Sequence, residues 1–275
     1  MRTSHILSLA TALAARLSHA APYATTVSDT DAELELLTPE FQRLAFFDTL
    51  TPNATTAANS NSNTTTCGAF ETAGTDDPMY VAVSAVFIVP QVSSRPLFNW
   101  TRDPEVTPRI AVSAGLDGIE CPETVRAGIY ATVFQNGTQQ QVPFVEFNGH
   151  VYAVRIASVA AGEHVRVRLS IVQDDVVNIN WSNLNRTEQA FNRDISTGGT
   201  MCGKTVSWFV EDLVPIKAAP GDYFAAFEPV HFMLLEGEKV DGNTVHFDTS
   251  TANFTTEQAL CKVAQEGTDL TITST

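Results

Sequence analysis

His164-Val165-Arg166-Val167-Arg168-Leu169-Ser170-Ile171 alternates apolar and polar residues without a break. A period of two puts Val165, Val167, Leu169 and Ile171 on one face of an extended strand, the pattern of a half-buried β-strand. Working outward, residues 80–89 form a longer β-branched run that Pro90 ends. Asn136-Gly137 and Asn148-Gly149 sit between apolar runs and predict type I′ hairpin turns. They imply a meander: a strand ending near Gln135, one over 138–147 and one over 150–156. Ala161-Gly162, Pro220-Gly221, Glu236-Gly237 and Asp241-Gly242 mark further turns. Many short strands at regular spacing predict an all-β fold, a two-sheet antiparallel β-sandwich.

The chain has 275 residues, 44% of them hydrophobic and 17% charged, enough apolar material for one sizeable core. Acids outnumber bases 31 to 16, for a net charge of -15. That balance argues against nucleic acid or an anionic membrane as partner, since both select a basic surface. Residues 1–20 read as a signal peptide: Arg2 is the positive n-region, residues 6–14 the apolar stretch, and Ser18 and Ala20 the small residues before cleavage. The run is too short to span a bilayer and Arg16 interrupts it. Its removal leaves 31 acids against 14 bases, or -17. No later run is long enough to span, so the expected product is secreted and extracellular, with no membrane span.

Residues 21–50 carry Asp29, Asp31, Glu33, Glu35, Glu40 and Asp48 against one base, Arg43. Thr38-Pro39-Glu40 predicts a helix start, with Phe41, Leu44, Ala45 and Phe47 or Leu50 as its apolar face. Residues 51–66 are Ser, Thr or Asn at twelve of sixteen positions and read as a linker. The expected organisation is a signal peptide over 1–20, a propeptide or linker over 21–66, and a β-sandwich domain over 67–275. By overall charge, an acidic propeptide gains nothing from an acidic core at neutral pH.

Export permits disulfides. Cys67, Cys121, Cys202 and Cys261 contain no C-x-x-C pair, and two bridges among them can be drawn in three ways. Seven N-x-S/T sequons mark candidate glycosylation sites: Asn53, Asn63, Asn99, Asn136, Asn180, Asn185 and Asn253. G-x-S-x-G, H-E-x-x-H, P-loop and G-x-G-x-x-G patterns are all absent. His150, His164, His231 and His246 are scattered through strand-like stretches and suggest no metal site. What remains is carboxylates on strands. In Ser207-Trp208-Phe209-Val210-Glu211-Asp212-Leu213, an extended chain puts Ser207, Phe209, Glu211 and Leu213 on one face. An acid among apolar neighbours must be paired, hydrogen-bonded or protonated. Glu146, in Phe144-Val145-Glu146-Phe147, is placed similarly.

Residues 208–213 resemble the W-I-V-E-D-F strand that bears the catalytic glutamate of the glutamic endopeptidases, or eqolisins. These are secreted, acid-active peptidases with a concanavalin A-like two-sheet sandwich. Gly115-Leu116-Asp117-Gly118 followed by Cys121 resembles the family's G-I-D-G segment and its cysteine. Cys202 stands at the partner half-cystine, and Asn183-Leu184 and Phe224-Ala225-Ala226-Phe227 fall at further family positions. The resemblance spans residues 67–232. It implies a Cys121–Cys202 bridge, which leaves Cys67 with Cys261. It also implies Glu211 as general base on a water, with Asp117 and Glu146 as supporting acids.

The match is uneven. The family's second catalytic residue is a glutamine in an L-Q-[TA]-G segment. Here the segment reads Val125-Arg126-Ala127-Gly128, after a one-residue deletion, so Arg126 takes the glutamine position. A family tryptophan is replaced by Ser113, and the W-Y-E-W-Y segment reads Phe144-Val145-Glu146-Phe147-Asn148. Amide hydrolysis needs a base to activate water and a donor for the oxyanion. Arginine can donate, but beside Glu211 it would pair with the carboxylate and lower its pKa by roughly one to three units. Gln135 and Gln139 to Gln141 lie too far along the chain to replace the amide.

Three readings follow. The first is an acid endopeptidase on peptide or protein substrate. The second is a catalytically degenerate sandwich, a possible pseudoenzyme, binding protein or glycan. The third, a glycoside hydrolase using Glu146 and Glu211, lacks the E-x-D-x-E pattern such enzymes usually show. No cofactor or metal is implied, and the expected state is a monomer. The site hypothesis requires Arg126 and Glu211 on one sheet face within hydrogen-bond reach.

Overall fold

The alternation over 164–171 becomes strand β9 (His164–Gln173), with Val165, Val167 and Leu169 fully buried and Arg166 exposed. The structure, a computed structural model, describes residues 33–36, 66–96, 98–101, 107–119, 121–148, 150–155, 157–211, 224–248, 252–255 and 260–275. The signal sequence, the helix expected from Thr38 and the sequons at Asn53 and Asn63 lie outside the described residues.

The predicted meander is present as β6 (Thr124–Val133), β7 (Gln139–Phe147) and β8 (His150–Val154). Its first turn differs from expectation. Only Gly137 has positive φ, at 80°, while the Gly137 amide donates to Phe134 and the Phe134 amide to Thr138. That pattern is a longer loop closed by a left-handed glycine, not a two-residue type I′ turn. Asn136 is used instead as an acceptor, its Oδ1 taking the Thr138 amide at 3.0 Å and hydroxyl at 2.7 Å.

Two antiparallel sheets stack face to face. The first runs β1 (Leu34–Leu36), β8, β7, β6, β5 (Arg109–Asp117), β12 (Thr205–Glu211), β2 (Thr66–Thr72), β16 (Asn253–Thr255). The second runs β11 (Ala190–Ser196), β10 (Val176–Asn183), β9, β3 (Tyr80–Ile88), β14 (Val230–Lys239), β18 (Asp269–Ser274), β17 (Cys261–Glu266), with β15 (Thr244–His246) beside β14. A small pair joins β4 (Val92–Ser93) to β13 (Ala226–Phe227). This is the all-β sandwich expected from the sequence.

The core lies between the sheets. Alternate residues of the first sheet supply Val112, Ala114, Ala127, Ile129, Trp208 and Val210, and the second supplies Phe87, Val167, Trp181 and Phe232. Trp181 donates its indole N–H to the Gly128 carbonyl at 3.1 Å, tying the sheets together. Cys67 is bridged to Cys261 and Cys121 to Cys202. On the chain-entropy view, the shorter loop alone adds about 4 kcal/mol.

The strand at 34–36 was not expected inside the stretch read as propeptide or linker. It pairs with β8, and Glu35 and Glu33 meet Arg155 and Arg193. Overall charge is therefore a poor guide here, because two arginines on an acidic domain provide local attraction.

Candidate functional site

β5, β6 and β12 are buried on both faces. One face feeds the core. The other, turned away from the second sheet, carries Ser113, Gly115, Arg126, Gly128, Tyr130, Ser207, Phe209 and Glu211. Arg126, Glu211 and Ser113 are each 1% exposed, as buried as core residues.

Register explains how these side chains meet. Arg126 on β6 lies opposite Gly115 on β5, and Gly115 lies opposite Ser207 on β12. β5 thus separates Arg126 from Glu211. The guanidinium crosses it because residue 115 has no side chain: a Cβ there would lie 2.7 Å from Ser207 Oγ and 3.1 Å from Arg126 Cγ. Arg126 then places Nη1 2.7 Å from Oε1 and 2.9 Å from Oε2 of Glu211. Its guanidinium carbon sits 5.8 Å from the Phe209 ring centre, within cation–π range. Ser113 Oγ lies 3.5 Å from Glu211 Oε1, at the limit of a hydrogen bond. Arg126 and Glu211 therefore share one outward face and are in direct contact.

The other expected residues divide. Glu146 is directly opposite Arg126 across β6 and β7 and is also 1% exposed. Asp117 stands at the end of β5 and acts on backbone. Its Oδ2 accepts from the amides of Cys202 and Gly203 at 2.7 and 2.8 Å, and its Oδ1 from Lys204 and Thr205 at 2.6 and 3.2 Å. Burial pushes the Asp117 carboxyl above its ordinary value, and the four amides oppose that shift. Its φ of 59° and that of Gly118 at 89° make the left-handed turn that aims the carboxylate at residues 202–205. The clamp fixes the entry to β12. Asp117, Cys121 and Cys202 form a compact donor cluster. Both sulfurs are bonded to each other and the carboxylate is committed to amides, so the cluster does not suit a metal.

Asn183 lies at the end of β10, where its Nδ2 donates to Glu163 at 2.8 Å. Arg186 grips the same carboxylate at 2.6 Å and holds Glu163 down at about 2. Gln139, Gln140 and Gln141 pair with residues 131–133, far along β6 from Arg126. Asn99, Asn136, Asn180, Asn185 and Asn253 are described, and Asn136 lies at a hairpin tip.

Sequence reasoning missed Gly115 as the opening for Arg126, Phe209 as the ring beside its guanidinium, and the apolar patch next to them. That patch is Ala111, Tyr130, Phe144 and Val151, with Tyr130 and Phe144 rings 4.5 Å apart. Period-two counting from Arg126 puts Tyr130 on its face, so that signal was present.

The fold and site define a two-sheet sandwich with a carboxylate and a strong hydrogen-bond donor buried together on the outer face of one sheet. The profile of the Peptidase A4 family matches residues 64–274, and the chain belongs to that family. Among solved structures, scytalido-glutamic peptidase with a transition-state analogue inhibitor is 18% identical, with a TM-score of 0.61 over 77% of this chain and 98% of that one. SCP-B, an eqolisin in complex with the tripeptide Ala-Ile-His, is 19% identical, with a TM-score of 0.59 over 77% and 98%. Aspergilloglutamic peptidase from Aspergillus niger is 18% identical, with a TM-score of 0.51 over 61% and 99%. At these identities the likeness is one of fold. A comparison with curated protein sequences finds no match. Among the described residues, no helix is long and apolar enough to cross a membrane.

Proposed function

We propose that this chain is a secreted, glycosylated member of the glutamic-peptidase family whose hydrolytic pair has become a structural ion pair. In this reading it binds peptide or protein without cleaving it. The observation that carries the reading is Arg126 Nη1 on both oxygens of Glu211, with both side chains 1% exposed. A general base must hold a water within about 3 Å on a free lone pair. A carboxylate whose two oxygens both face a guanidinium is a weakened base. Asp117 positions β12 in this reading, Glu146 lies opposite Arg126 on β7, and residues 21–66 are a propeptide.

A second reading has its own support. Arg126 is a strong donor next to Glu211, where an oxyanion would need one. If the pair opens when substrate binds, Glu211 serves as base, Arg126 stabilises the oxyanion, and the protein is an acid endopeptidase. The test is cleavage of a mixed peptide library at about pH 3 and about pH 6, which bracket the usual glutamate pKa. Wild type, Glu211→Gln and Arg126→Gln are compared. The non-hydrolytic reading expects no cleavage by wild type or Glu211→Gln. Acid cleavage by wild type that disappears in Glu211→Gln would overturn it and establish the second.

A further inference from the structure

We propose that Glu33 and Glu35 make β1 an acid-released clip on the open edge of the first sheet. β1 adds to β8 with Leu34 opposite Val154, Glu35 opposite Ala153 and Leu36 opposite Tyr152. The Arg155 amide donates to the Glu33 carbonyl at 2.8 Å. Three paired residues are too few to hold a strand by backbone bonds alone. Leu34 adds a partly buried contact with the core.

Two ion pairs supply the rest. Arg155 meets Glu35 as a fork, Nε to Oε2 at 2.9 Å and Nη2 to Oε1 at 2.7 Å. Arg193, on β11 at the edge of the second sheet, places Nη2 2.7 Å from both oxygens of Glu33. One arginine from each sheet thus grips one acid on either side of Leu34, and β1 bridges the two open edges. The hydrogen bond and charge of Arg155 hold the Glu35 carboxyl below its ordinary value. The other ionisable groups on the receiving strands are His150 and Tyr152 on β8 and Asp194 on β11. Asp194 Oδ1 accepts from Asn178 Nδ2 at 2.7 Å.

The direction follows from chemistry. Arg155 holds Glu35 as a carboxylate, and both arginines stay charged at any relevant pH. Protonating the acids removes the ion pairs and leaves the short ladder and Leu34. β1 therefore holds at neutral pH and loosens as pH falls through the carboxylate range. The pairs are partly exposed, so each is modest. Losing both raises the detached fraction about two- to thirtyfold. None of this depends on whether Glu211 is catalytic.

The test is amide exchange at Arg155 in the full chain at pH 7 and pH 3.5, corrected for intrinsic exchange, with the Val167 amide of β9 as reference. The expected result is a loss of protection at Arg155 of about two- to thirtyfold on acidification while Val167 is unchanged. Glu33→Gln/Glu35→Gln should show the lower protection already at pH 7. Equal protection of wild type at both pH values would overturn the proposal, as would an unchanged pH response in the double variant.

Discussion

Removing the cation from the buried pair is the sharpest perturbation available. Arg126→Gln strips Glu211 of the group that bonds both its oxygens, in a site 1% exposed. Breaking one side of such a pair costs about 3–5 kcal/mol, because a charge is left in a medium that solvates it poorly. That is a large share of the 5–15 kcal/mol that usually holds a domain. Glu211→Gln should also destabilise, by removing the carboxylate that Nη1 bonds. The double variant should recover most of the loss, since a neutral pair needs no mutual compensation. Urea unfolding with the disulfides intact reads the cycle, and each single variant should lower the midpoint by about 1–2 M. Acid adds an asymmetry. At pH 3 the stranded carboxyl in Arg126→Gln can take up a proton, so its penalty shrinks. The guanidinium in Glu211→Gln stays charged, so its penalty does not. Single penalties of about 1 kcal/mol or less that simply add would refute the reasoning, since that is how a solvated pair behaves.

Three further outcomes are expected. Gly115→Ala should cost about 1–3 kcal/mol by forcing Ser207 and Arg126 aside; an unchanged melting temperature would show that the guanidinium does not lie across β5. Asp117→Asn should cost at least about 2 kcal/mol, because the new amide turns donor atoms toward backbone N–H groups; a neutral result in thermal melts would remove the clamp. Glu71 is 3% exposed, accepts from the Tyr80 hydroxyl at 3.2 Å and the Asp248 amide at 3.1 Å, and is pushed up by burial. A raised carboxyl pKa adds stability below its ordinary value that is lost as pH rises through the folded value. Glu71→Gln should therefore raise the melting temperature at pH 8 and leave it unchanged at pH 4; equal effects at both would refute the burial argument.

Much of the fold was legible because strands write a period of two into the sequence. Residues 164–171 show it directly, since the core-facing side of β9 excludes polar side chains, and the Asn-Gly pairs at 136–137 and 148–149 marked the meander. The stretch around Glu211 was legible as a strand with an acid on the wrong face for a core, and the family motifs pointed to Arg126 as its neighbour. Turn geometry was less secure: Asn136-Gly137 suits more than one hairpin, and loop closure by Thr138 selected the longer one. The strand at 34–36 was hidden, because three residues carry too little pattern and its partners lie more than a hundred positions away in Arg155 and Arg193. By itself, the sequence determined the all-β class and the alternation that puts Ser207, Phe209 and Glu211 on one strand face. Only the tertiary structure decided that Arg126 crosses β5 through the gap at Gly115 and closes on both oxygens of Glu211. That contact depends on the register of three strands far apart in the chain, and register is set by packing of the whole sheet rather than by any local run of residues.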